Sequence, residues 1–158
     1  MNNIKKSRFI FDWILSNQLA IGTSPVENKN LIFLETKQVR NIIGLCSKKE
    51  IDWHENIYKN FNCERIVLPD SQTNLLPSQD ELIEAFNKLM DALYKDITFV
   101  HCFASVERSP LLCTMFIMYK YKLSIEDALD YVKKVHPFAN PTNQQLSLIN
   151  KALIEIKN

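Results

Sequence analysis

Residues 97–110 read Ile-Thr-Phe-Val-His-Cys-Phe-Ala-Ser-Val-Glu-Arg-Ser-Pro, an apolar run that delivers a His-Cys pair into a short loop closed by Arg-Ser. The β-branched and aromatic start predicts a buried strand over Ile97 to His101. Pro110 and the apolar run Leu111 to Met118 predict a helix with Ser109 as N-cap and Pro at its first position. Cys102 and Arg108 stand six positions apart, so a compact turn can wrap the five residues between them around one anion, with the guanidinium at its edge. Arg suits that place because its planar fork donates two parallel hydrogen bonds and keeps its charge at any working pH. The loop opens onto a helix N-terminus, where free backbone N–H groups and the positive end of the dipole favour an oxyanion and a thiolate.

Outward from this loop, the chain alternates strands and helices. Phe9 to Ile21 reads as two short strands turning at Ser16-Asn17. A short helix near Lys29 to Thr36 precedes a buried strand over Val39 to Cys46, and Lys48 to Phe61 reads as a helix. Another strand, Cys63 to Leu68, ends in Pro69-Asp70. Ser78-Gln79-Asp80-Glu81 is a capping box followed by Leu82, Ile83, Phe86, Leu89, Met90 and Leu93 at helical spacing. Ser124 and Asn143 cap two further helices after the central one. Strands separated by helices predict an α/β fold, a mostly parallel central sheet flanked by helices on both faces. Ligands of such sheets bind at the carboxyl ends of strands, where Cys102 falls.

A length of 158 residues is that of one domain, spanning 1–158. Nineteen basic and eighteen acidic side chains leave a net charge of +1, so no strong field argues for nucleic acid or an anionic membrane. Lys5-Lys6, Lys48-Lys49 and Lys133-Lys134 are scattered pairs rather than a patch. No apolar stretch reaches a spanning length, and the opening residues lack the apolar core of a signal peptide, so the expected compartment is the cytoplasm. Four cysteines without C-x-x-C spacing and three dispersed histidines predict no metal site. With only Gly22 and Gly44, neither a dinucleotide fingerprint nor a Walker loop can be written, and no cofactor is expected.

The string His101-Cys102, five residues, then Arg108-Ser109 resembles the active-site loop of the cysteine-dependent protein phosphatases, above all the compact dual-specificity branch. The resemblance implies a metal-free phosphomonoesterase with Cys102 as nucleophile. The residues Phe103, Ala104, Ser105, Val106, Glu107 and Arg108 would enclose the phosphate, and the hydroxyl of Ser109 would stabilise the departing thiolate. His101 would brace the loop and favour the thiolate. Asp70, at the end of a strand after Pro69, resembles the family's mobile general acid. Ser105 departs from the family's glycine, and a positive φ there would strain it. Glu107 beside Arg108 would repel a dianion if it pointed inward, so it is expected to face out and brace the loop through a neighbouring cation. It also argues against highly anionic lipid or inositol polyphosphate substrates. Gln145, in a Pro-Thr-Asn-Gln-Gln-Leu segment similar to one after the family's active-site helices, is a weaker candidate for a site contact. Gly44-Leu45-Cys46 resembles the position from which a second cysteine pairs reversibly with the nucleophile in some compact members. The expected partner is a phosphorylated protein or a small phosphomonoester, with no nucleic acid, no membrane and no assigned oligomeric state. Two other readings stay open: a silent relative that binds phosphate without turning it over, and a sulfur- or arsenic-handling enzyme with a similar cysteine loop.

Overall fold

The computed structural model describes residues 8–157, and the Lys5-Lys6 pair and the rest of the opening segment lie outside them. Five strands, β1 (Phe11–Leu15), β2 (Leu19–Thr23), β3 (Asn41–Gly44), β4 (Asn62–Arg65) and β5 (Thr98–Cys102), form one sheet in the order β1-β2-β5-β3-β4. Only β1 runs antiparallel, joined to β2 by a tight turn at which Asn17 takes φ 57°. That left-handed conformation is one that Asn tolerates better than most residues. The other pairs are parallel, with Gly44 level with His101 and Thr23 level with Cys102.

Alternation along the strands splits the core in two. Leu19, Ile21, Ile43, Val100 and Cys102 face one side, where α3 (Gln79–Lys95), α4 (Arg108–Tyr121), α5 (Ile125–Val135) and α6 (Asn143–Lys157) pack. Ala20, Ile42 and Phe99 face the other, covered by Leu31 and Leu34 of α1 (Asn28–Thr36), Ile57 of α2 (Ile57–Asn60) and Trp53. The architecture is the α/β sheet covered on both faces that the strand and helix pattern predicts. A fully buried side chain such as Phe86 or Leu45 contributes about 1.5–3 kcal/mol. The helix α4 is buried along Arg108 to Met118, which makes it the central helix of its layer. Its N-terminus therefore meets the end of β5 in the middle of the molecule.

The capping box at Ser78 and the cap at Ser124 form as the sequence predicts. Five assignments differ. Only Ile57–Asn60 of the expected Lys48–Phe61 helix is helical. Ser47 and Glu50 bond each other's backbone N–H reciprocally, and Asp52 and His54 accept from the nearby Trp53 and Asn56 N–H groups, so these side chains compete with a helical ladder. The regular strands are also shorter than expected: Val39, Leu45 and Cys46 flank β3, and Ile66 and Leu68 continue from β4 through single hydrogen bonds to Gly44 and Leu45 carbonyls. Thr142 rather than Asn143 caps α6, exchanging hydrogen bonds with Gln145. Finally, α4 begins at Arg108, so Ser109 lies inside its first turn and is not the N-cap.

Candidate active site

The loop from Cys102 to Arg108 joins the carboxyl end of the central strand β5 to the N-terminus of α4. Cys102, Ser105 and Arg108 point into the protein, whereas Phe103 and Ala104 are exposed and Val106 and Glu107 half-buried. The Sγ of Cys102 lies 3.2 Å from the Oγ of Ser109. This contact explains the missing cap: the hydroxyl turns to the thiol instead of to a helix N–H. Ser105 sits at φ 59°, the left-handed conformation expected from the family's glycine, and Asn140 holds the neighbouring turn by donating its N–H to the Val106 carbonyl at 2.7 Å.

Arg108 is fixed from several sides. Its Nη1 and Nη2 donate to the two carboxylate oxygens of Glu50 at 3.0 and 2.7 Å, and Nη1 also donates to the Leu68 carbonyl at 3.2 Å. Burial is the largest influence and works against this charge, but the Glu50 hydrogen bonds together with the nearby Cys102, Glu50 and Asp70 groups outweigh it and raise its pKa. Burial likewise pushes the Glu50 carboxyl up, yet the Arg108 and Ser47 hydrogen bonds hold it below the usual range. Nη2 of Arg108 reaches Asp70 Oδ2 at 3.5 Å. Asp70 also caps a 3-10 turn at Ser71–Thr73, accepting from the Gln72 N–H at 3.0 Å, so its loop is held beside the Cys102–Arg108 loop. Asp70, Ser71 and Gln72 line one depression together with Cys102, Phe103, Ala104, Val106, Glu107 and Arg108.

His101 is fully buried beneath the loop. Trp53 Nε1–H donates to its Nε2 at 2.7 Å, which leaves the proton on Nδ1, 3.2 Å from the Cys102 carbonyl. Burial pushes its pKa down to about 3, so it braces the loop as a neutral ring and not as a cation. Gly44 permits this arrangement, because a Cβ there would stand 2.8 Å from the Trp53 ring and 3.1 Å from His101 Nε2. Glu107 is not braced by a cation as expected. Its Oε2 accepts from Nε2 of the buried Gln145 at 3.4 Å, so Gln145 reaches the loop through Glu107.

Cys46 is buried one residue past Leu45, whose N–H bonds the His101 carbonyl at 2.8 Å, so it follows β3 beside the end of β5. Burial pushes its thiol up to about 11, with Arg108 opposing and Cys102 reinforcing. Glu50, Trp53 and the pair Asp12 and His136 belong to the site's surroundings without having been singled out from sequence. The Ser47-x-x-Glu50 box was a readable signal; the others have none, because they meet their partners only through the fold.

A family model described as "Dual specificity phosphatase, catalytic domain" matches residues 24–152. A probable dual specificity protein phosphatase of Dictyostelium discoideum is 28% identical over 141 residues, covering 87% of this chain and 33% of the relative. Human dual specificity protein phosphatase 18 is 21% identical over 148 residues, covering 90% of this chain and 67% of its own. The chain thus spans a third to two-thirds of these relatives. Among solved structures, the human tyrosine phosphatase-like serine/threonine/tyrosine-interacting protein superposes with a TM-score of 0.80 at 17% identity, covering 94% of this chain and 98% of that one. Tk-PTP in its active form gives 0.74 at 20% identity, covering 92% and 96%. At these identities the structural likeness shows the fold.

Proposed function

Because the chain belongs to the dual specificity phosphatase catalytic-domain family, we propose that it hydrolyses phosphomonoesters through a phosphocysteine intermediate on Cys102. The observation that carries this reading is the convergence of Cys102, Arg108 and Asp70 on one depression at the end of β5. A binding module needs the guanidinium but has no use for the thiol or the acid.

In the first step the Cys102 thiolate attacks phosphorus and Asp70 protonates the leaving oxygen. In the second, water attacks the phosphocysteine, Asp70 accepts its proton, and the thiolate departs toward the Ser109 hydroxyl 3.2 Å away. The α4 N-terminus and Arg108 neutralise the transferring phosphoryl group, and Glu50 holds the guanidinium plane. Asp70 contacts Arg108 in the free protein, and substrate oxygens would replace it there, releasing the carboxyl toward the leaving group. Every group this chemistry requires is a side chain or a backbone amide of the chain, so no metal or cofactor is needed.

The depression is rimmed by the exposed Phe103, which suits phosphorylated protein side chains and small aryl phosphates. The Glu107 carboxylate on its edge disfavours polyanionic substrates. Among the described residues no helix is long and apolar enough to cross a membrane.

The test is hydrolysis of a small aryl phosphate with and without chelator. We expect chelator-insensitive turnover that Cys102→Ser abolishes, while the variant still binds vanadate through the loop amides and Arg108. Vanadate binding without turnover in the parent would favour the silent phosphate-binding module.

A further inference from the structure

Beneath the phosphate loop, on the side away from His101, a line of polar groups leads to Ser109 and Cys102 through Asp12, His136 and the Ser105 hydroxyl, to which the mechanism above gives no role. Asp12 on β1 places Oδ2 2.7 Å from Nδ1 of His136, the residue that caps the C-terminus of α5. Nε2 of the same ring lies 2.7 Å from the Ser105 carbonyl and 3.1 Å from the Ser105 hydroxyl. Ser105 Oγ is 3.4 Å from Ser109 Oγ, and Ser109 Oγ is 3.2 Å from Cys102 Sγ. His136, Ser105 and Ser109 are fully buried, while the Asp12 carboxylate is partly open to solvent.

The partners fix the direction of the bonds to the ring: a carboxylate and a carbonyl can only accept, so both ring nitrogens of His136 donate. With the Nε2 proton committed to Ser105, the Ser105 hydroxyl is free to donate to Ser109. The Ser109 hydroxyl is in turn free to donate to sulfur. With both hydroxyls turned this way all donors point toward Cys102, and aligned hydrogen bonds in a low-dielectric interior polarise one another. Such a chain favours the thiolate over the thiol, because only the thiolate is a strong acceptor at its end.

We propose that Asp12 and His136 are positioning residues that orient this one-way chain through Ser105 and Ser109, stabilising the Cys102 thiolate as nucleophile and as leaving group. The proposal deepens the phosphocysteine reading and rests on it for its consequence in turnover. It also accounts for serine where the resembling loops carry glycine. At φ 59° glycine would be the unstrained choice, but it has no hydroxyl and would break the chain at its middle link. The other titratable groups that feel Cys102 are Arg108 from the loop's end, Cys46 beyond β3 and Cys113 on α4, and none of them hydrogen-bonds to the chain. The aromatic neighbour of the His136 ring is Phe138, at 5.9 Å between centroids.

The experiment follows alkylation of Cys102 by iodoacetamide against pH in the full chain, by mass spectrometry of its peptide, in the parent, Ser105→Gly and Asp12→Asn. Glycine accepts the backbone conformation, so Ser105→Gly should melt no lower than the parent. A merely structural role would leave its alkylation profile unmoved. The proposal expects the midpoint to move to higher pH in both variants, with about threefold less reactive thiolate below it, the effect of one weak hydrogen bond. It also expects a lower kcat, with phosphocysteine breakdown slowed. An unchanged midpoint in a folded Ser105→Gly or Asp12→Asn protein overturns the proposal. Aryl phosphate hydrolysis by the parent is scored separately: its absence overturns the phosphatase reading, whereas alkylation reports on the chain without turnover.

Discussion

Arg108 is oriented before any phosphate arrives, because Glu50 grips both of its terminal nitrogens. A single guanidinium plane is thereby presented to the loop, and the entropy of ordering it is lost on folding and not on binding. Glu50→Gln keeps the shape but loses the charge and one acceptor. We expect kcat/KM for aryl phosphate to fall roughly tenfold, mostly through KM, with a loss of about 1–2 kcal/mol in stability, measured by steady-state kinetics and urea unfolding. Cys102, Arg108, Ser109 and Asp70 were legible in the sequence because the first three share one short segment and Asp70 marks a strand end. Glu50, Trp53 and His136 were not legible as site residues. They meet Arg108, His101 and Asp12 across 58, 48 and 124 positions, and no local pattern encodes such meetings.

At the scale of elements, alternation and capping boxes gave the order of strands and helices. The boundaries failed where side chains served the site instead of the ladder. Trp53 leaves the expected Lys48–Phe61 helix to reach His101, and Ser109 gives up its capping role to reach Cys102. Parallel pairing of β3 with β5 also bears on oxidation, since it sets the segment after Gly44 alongside Cys102. Peroxide would convert the Cys102 thiolate to a sulfenic acid, and the Cys46 thiol would then displace water to form a disulfide, returning the sulfur to a reducible state. With its pKa near 11, Cys46 is mostly protonated at neutral pH, so trapping should be slow and should quicken as pH rises. After peroxide and then reductant, the parent should recover most of its activity and Cys46→Ser far less. Equal recovery, with no Cys46–Cys102 linkage by mass spectrometry, would remove Cys46 from this role.

For the whole molecule, the buried site governs stability in acid. The folded chain cannot protonate His101 until about pH 3, whereas an unfolded histidine takes up its proton near 6.5. Stability is therefore fully present above 6.5 and declines as pH falls from there toward 3, by up to about 1.4 kcal/mol per pH unit. Glu50 adds to the acid limb: its lowered folded pKa gives stability that is present above 4.5 and lost as pH falls through the folded value. Urea unfolding across this range should show the decline in the parent and a shallower one in His101→Gln, whose side chain does not titrate. Both effects place the weak point of the fold beneath the loop that joins β5 to α4, so the chemistry of that loop is the claim to test first. The most direct measurement is an acid quench of the protein during turnover of a radiolabelled aryl phosphate, followed by peptide mapping. Asp70→Asn is the better reporter, because in the proposed mechanism one carboxyl both protonates the leaving group and activates water, and a good leaving group would need only the second role. The account predicts label on the Cys102 peptide, stable to acid, more abundant in Asp70→Asn than in the parent and absent from Cys102→Ser. Turnover with no label on Cys102 in either protein would contradict it.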